Sequence, residues 1–195
     1  MANMELVQKL RNETGAGIMD IKQALVEAND DEKMALELLR KRGQKIAAKK
    51  QAERVAKSGL VEAYIHAGGR IGSMILLACE TDFVAKNEEF RNLAKEIAMQ
   101  VAAMKPEYVN REDVPSDVVE KEKEIYKEQL KAEGKPEAMW DNISEGKLEK
   151  YYEQVCLLDQ VYIKDDSKKV KDLVNEMTAK LGEKLEVKQM VVFGI

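Results

Sequence analysis

The chain is poor in the residues that most chemistry needs. Its 195 residues include one histidine, His66, and two cysteines, Cys79 and Cys156. A zinc site of the usual Cys/His kind takes four ligands, and no CxxC or HxxxH spacing occurs, so a metal centre of that kind is excluded. Two isolated cysteines make no disulfide framework, which points to a reducing compartment. Three Phe, one Trp and six Tyr leave no large aromatic stacking surface. The longest apolar run, Met74–Cys79, is far too short to span a membrane. The N-terminal apolar stretch is broken by Glu5 and Lys9, unlike a signal peptide, so a cytoplasmic protein is expected. Charge of one sign is also missing: 32 Lys+Arg face 36 Asp+Glu, a net charge of −4 that sets up no field for nucleic acid.

What is present is a packed globular composition, 45% hydrophobic and 35% charged. Residues 1–43 read as three short helices. Met4, Leu6, Val7 and Leu10 have helical spacing, Thr14-Gly15-Ala16-Gly17 forms a turn, and Ile18, Ile21 and Leu25 make the second stripe. Asn29-Asp30-Asp31 restarts the chain into a third helix bearing Met34, Ala35, Leu38 and Leu39, expected to end at Gly43. Residues 44–57 read as a basic linker helix. The stretch 40–57 holds Arg40, Lys41, Arg42, Lys45, Lys49, Lys50, Arg54 and Lys57 against Glu53 alone.

From residue 58 to 195 the pattern is α+β. Val61, Ala63 and Ile65 alternate with Glu62 and Tyr64, and Gly68-Gly69 marks a hairpin turn. The run from Ile71 to Cys79 is almost wholly apolar and reads as a central strand buried on both faces. Asn87 is placed to cap a helix with Leu93, Ile97, Val101 and Met104 on its apolar face, ending at Pro106. Further helices are expected near 116–133 and from Pro136 to Val155, interrupted at Gly146. A strand is predicted over 156–163, then a helix capped by Ser167 and closed by Gly182. A last strand alternates Leu185, Val187, Gln189, Val191 and Phe193, with both late strands joining the hairpin's sheet. The fold class is thus a three-helix bundle plus a small antiparallel sheet covered by helices.

Catalysis meets a shortage. Nucleophilic chemistry pairs Ser or Cys with a base, yet the hairpin puts Cys79 opposite residue 58, far from His66 at the turn. At about 3.3 Å per residue that separation defeats any His–Cys pair. His66 is then a solvated turn residue or a partner contact. Gly15-Ala16-Gly17 follows a helix, and Gly68-Gly69-Arg70-Ile71-Gly72 lacks a following Lys-Ser/Thr, so neither is a phosphate loop. No cofactor is expected. The basic helix is read as a solvated linker. The alternative is an RNA-associated adaptor using residues 40–57, although direct nucleic-acid binding is not the expectation because no RNA-binding signature accompanies the charge. Two places resist a purely structural reading. Met19 falls off the Ile18/Ile21/Leu25 stripe, either by chance or as an adaptable contact for a partner groove. In Thr81-Asp82-Phe83-Val84, two large apolar neighbours in a polar loop cannot easily both point inward.

At these residues the chain resembles the elongation factor Ts family. The family pattern Thr-Gly-Ala-Gly-hydrophobic-Met-Asp stands as Thr14-Gly15-Ala16-Gly17-Ile18-Met19-Asp20. The family's Cys-x-Thr-Asp-Phe-Val-Ala stands as Cys79-Glu80-Thr81-Asp82-Phe83-Val84-Ala85. His66-Ala67-Gly68-Gly69-Arg70-Ile71-Gly72 and the segments Lys105-Pro106-Glu107-Tyr108 and 118–122 add to the likeness. The resemblance implies a ubiquitin-associated-like bundle before an α+β core. It also implies guanine nucleotide exchange on elongation factor Tu without covalent chemistry. Asp82 and Phe83 would enter the partner's G domain near its Mg²⁺ region, Met19 would grip a nearby helix, Thr81, Val84 and Ile18 would join these partner contacts, and His66 would make a further one. Longer members carry two related half-cores; here there is one, so a homodimer is the way a second half would be supplied.

Overall fold

The computed structural model describes residues 4–195. Three helices come first: α1 (Met4–Thr14), α2 (Ile18–Glu27) and α3 (Glu32–Glu53). Val7, Leu10, Ile21, Ala24, Leu25, Ala28, Ala35 and Leu39 meet at helical spacings to form their small core. Between α1 and α2 the turn depends on Gly15. It holds φ +66°, and its backbone passes so close to Lys180 that an added Cβ would lie 2.5 Å from Lys180 Cγ. Asp31 caps α3, its Oδ1 accepting from the Met34 N–H at 2.8 Å.

The expected end at Gly43 is absent: α3 runs unbroken to Glu53. Glycine inside a helix costs about 1 kcal/mol against alanine. Here it permits close approach, since a Cβ on Gly43 would stand 3.4 Å from Ala179 Cβ on α8 (Val170–Leu181). Ala47 is buried as well. The basic segment is therefore seated on the core along one side rather than solvated all round.

The core sheet has strand order β1 (Ser58–Ile65), β2 (Ile71–Cys79), β5 (Glu186–Gly194), all antiparallel. The one-turn α4 (Asp82–Ala85) and then α5 (Glu88–Met104) follow β2. As expected, Asn87 caps α5, its Oδ1 accepting from Glu89 N–H at 2.8 Å. With α8, α5 covers one face of the sheet. Phe90, Leu93, Ile97 and Val101 pack with Ile75, Leu77, Val174, Leu185 and Val187.

The strands depart from their reading in one systematic way. Period two shows that faces alternate, but not which face is covered. On β1 the residues turned to the core are Leu60 and Tyr64, while Val61, Ala63 and Ile65 face outward. On β5 a bulge at Lys188, where Leu76 pairs with Gln189 and Leu77 with Val187, switches the faces. Leu185 and Val187 point inward before it, Met190 and Val192 after it, so Val191 and Phe193 are exposed. Strand β2 is central but fully covered on one face only; on the other Met74 is exposed and Leu76 half-buried, and Ala78 alone is buried.

Helices α6 (Ser116–Ala132) and α7 (Trp140–Val155) form an arm that buries Leu130, Ser144 and Leu148. Gly146 does not interrupt α7. The strand predicted over 156–163 shrinks to β3 (Val161–Tyr162) behind a 3-10 turn at 157–159. It pairs with β4 (Asp165–Lys169) in a separate two-stranded sheet, so only β5 joins the hairpin. Ser167 lies in β4 and bonds Asp165; the following helix starts at Val170. No described helix is long and apolar enough to cross a membrane.

Candidate functional site

The segment 81–84 comprises the N-cap and first three residues of the one-turn helix α4, just after the end of β2. Thr81 is its N-cap, with Val84 N–H pointing at the hydroxyl at 3.5 Å. About 100° per residue then separates Phe83 from Val84. Val84 is half-buried against the core cluster and Ala85 is buried, whereas Phe83 is 82% exposed. Leaving a phenyl side chain in water forgoes about 2 kcal/mol of burial. Thr81 and Asp82 are exposed beside it. Asp82 takes a hydrogen bond from Lys86 Nζ at 2.9 Å, which holds its carboxyl below the usual range. The ring thus stands on a convex tip, beside an ion pair that compensates its own charge.

The backbone under this tip is fixed by residues remote in sequence. Glu183, between α8 and β5, accepts at Oε2 from the N–H groups of Glu80 (3.1 Å) and Thr81 (3.0 Å). Its Oε1 accepts from the Thr81 hydroxyl at 2.6 Å. Cys79, buried at the foot of the turn, donates its thiol to Thr81 O at 3.0 Å. Burial pushes that thiol's pKa up, so it is a packing residue and not a nucleophile.

A second exposed apolar patch lies on α2. Met19 is 76% exposed, and Ile18, read as part of the buried stripe, is itself 40% exposed; Ile21, Ala24 and Leu25 are the residues buried. Val26, seven residues after Met19 and so on nearly the same face, is exposed too. That i, i+7 relation is legible in the sequence, whereas no local motif signals Glu183.

The structure brings 81–84 together but not with His66. His66 sits exposed at the opposite end of the hairpin, its Nδ1 3.0 Å from Tyr64 Oη. The nine residues of β2 separate the two tips by roughly 26 Å. The basic stretch is partly engaged internally. Arg42 bonds Glu27 at 2.8 Å, Arg54 bonds Glu80 at 3.2 Å, and Arg40 lies 3.9 Å from Glu176. An open cleft of about 1150 Å³ between bundle and core is lined by Gly15, Leu39, Met177 and Lys180 among others, and by none of residues 81–84.

A sequence model of the family described as "Elongation factor TS" matches residues 3–195. The chain is 55% identical over 193 residues to "Elongation factor Ts" of Caldanaerobacter subterraneus subsp. tengcongensis, covering 99% of this chain and 96% of that protein. It is 56% identical, with the same coverage, to "Elongation factor Ts" of Thermotoga petrophila.

Proposed function

The chain belongs to the elongation factor Ts family of translation elongation factors, and from that premise we propose that it is a guanine nucleotide exchange factor acting on elongation factor Tu by binding alone. The observation that supports this reading most is the exposed Phe83 ring on a turn fixed from below. Exchange is a linkage effect. A factor that binds the nucleotide-free GTPase more tightly than the nucleotide-bound one weakens nucleotide binding by the same ratio. Mg²⁺ in a GTPase requires near-ideal octahedral geometry, so small displacements of its ligands are costly. An aromatic ring pressed into the wall of that site supplies such a displacement if its base does not yield. Phe83 is the wedge and Asp82 its polar neighbour. Thr81 and Val84 hold the wedge, the first as cap and the second as anchor in the core.

Ile18 and Met19 supply affinity. A flexible thioether in water fits an irregular apolar groove on a partner. His66, at the far end of the hairpin, is assigned a contact with a different part of the complex. The open face of the sheet supports a homodimer. Val61, Ala63, Ile65, Gly72, Met74, Leu76, Val191 and Phe193 lie together on it beside one polar side chain, Gln189, and charge enters only at one end, where Glu186 is paired with Lys188 at 2.7 Å. An isologous contact through this face would cover it on both copies.

The test is release of labelled GDP from purified elongation factor Tu. Release accelerates with added protein and saturates. A release rate indifferent to this protein contradicts the proposal.

A further inference from the structure

The corner that presents Phe83 is fastened by Glu183, which belongs to the connection between α8 and β5. At the end of β2 the successive N–H groups of Glu80 and Thr81 both point at Glu183 Oε2, 3.1 and 3.0 Å away, and the Thr81 hydroxyl donates to Oε1 at 2.6 Å. The same connection continues the clamp. Lys184 N–H donates to Glu80 Oε1 at 2.6 Å, and Lys184 Nζ donates to Gln51 O at 2.8 Å. Gln51 Nε2 returns a bond to Leu185 O at 2.6 Å, and Arg54 Nη1 reaches both Glu80 and Gly182 O. The last turn of α3, the corner after β2 and the α8–β5 connection are therefore one hydrogen-bonded unit.

A helix of four residues is too short to hold itself, since each ordered turn costs more than its one or two internal bonds return. Its orientation is that of its cap. By taking two consecutive backbone donors on one oxygen and the cap hydroxyl on the other, Glu183 fixes both the path of residues 80–81 and the rotamer of Thr81. We propose that Glu183 is a positioning residue for exchange: it aims the Phe83 ring without touching the partner. The assignment rests on the reading of Phe83 as the wedge.

The experiment is the plateau rate of labelled-GDP release from elongation factor Tu at saturating protein, measured in a double-mutant cycle. Glu183→Ala lowers the plateau about tenfold, as misplacement of a positioned group does, while the concentration for half-maximal effect changes little. Glu183→Gln retains most of the activity, because its amide oxygen accepts both N–H groups and its amide nitrogen can donate to the Thr81 oxygen. In a Phe83→Ala background, Glu183→Ala adds no further loss, since there is no ring left to aim. Glu183→Asp, one methylene too short to reach all three donors, replaces the alanine variant in the cycle if the latter does not fold. A wild-type plateau in Glu183→Ala with an impaired Phe83→Ala overturns the positioning role alone, as does the same fractional loss in both backgrounds. An unimpaired Phe83→Ala rejects the wedge itself, and the positioning role falls with it.

Discussion

Asp159 shows how single charges hold this molecule together. Its carboxylate is buried and accepts from Arg111 Nε at 2.8 Å, Arg111 Nη2 at 2.9 Å and Lys171 Nζ at 3.2 Å, while Arg111 also grips Glu149 on α7 and lies 4.9 Å from the Tyr152 ring centre. Burial alone would raise the Asp159 carboxyl, but its bonds to Arg111 and Lys171 outweigh burial and hold it below the ordinary value. A carboxyl lowered in the folded state stabilises fully above its unfolded value, about 4. That contribution is lost as pH falls through the lower folded value. Asp159→Asn should therefore cost about 2 kcal/mol at neutral pH, where it weakens a buried charged network. It should also flatten the fall of stability as pH drops below about 5. Denaturant midpoints across that range decide the matter, and an acid-side slope equal to wild type contradicts it. None of these partners was legible in the sequence: Arg111, Asp159 and Lys171 meet only because the chain folds back on itself. Phe83 was half legible, since composition marked it as awkward but left its direction open. The helical turn that sends Val84 inward and Phe83 outward was not foreseen.

At the level of elements, local signals read well and pairings read badly. Asn87 as a cap, the Gly68-Gly69 turn and the Leu93, Ile97 and Val101 face of α5 were visible because each depends on local spacing, whereas Met104, expected on that face, is exposed in the helix's last turn. Gly43 misled because a helix-weakening residue was tolerated for contact with Ala179, more than a hundred residues away. On β1 the alternation holds but does not say which face is covered, and on β5 it breaks at a bulge, where an extra residue in the strand has no sequence mark. The corrected faces have a consequence. The exposed side of the β1–β2–β5 sheet is apolar away from its Glu186–Lys188 end, with Phe193 at 70% exposure. If a second copy covers it, the mass by light scattering is twice 22.1 kDa. Phe193→Asp, which places a charge within a desolvated patch, then reduces it to one copy. A monomeric mass for the unmodified protein at working concentration rejects the pairing.

For the whole molecule, two exposed apolar groups lie on two separate bodies: Met19 on the helical bundle and Phe83 on the core. The long α3, seated on α8 and bonded through Arg54 and Gln51 to the corner after β2, joins them. In the proposed function, a grip on one body and a wedge on the other make affinity and exchange separable. Labelled-GDP release from elongation factor Tu across a titration of wild type, Phe83→Ala and Met19→Asp separates them. In Phe83→Ala the expected plateau is at least tenfold lower with half-saturation little changed. In Met19→Asp the plateau is kept and half-saturation rises about tenfold, since a carboxylate must be desolvated on binding. A Phe83→Ala plateau equal to that of wild type would contradict that division.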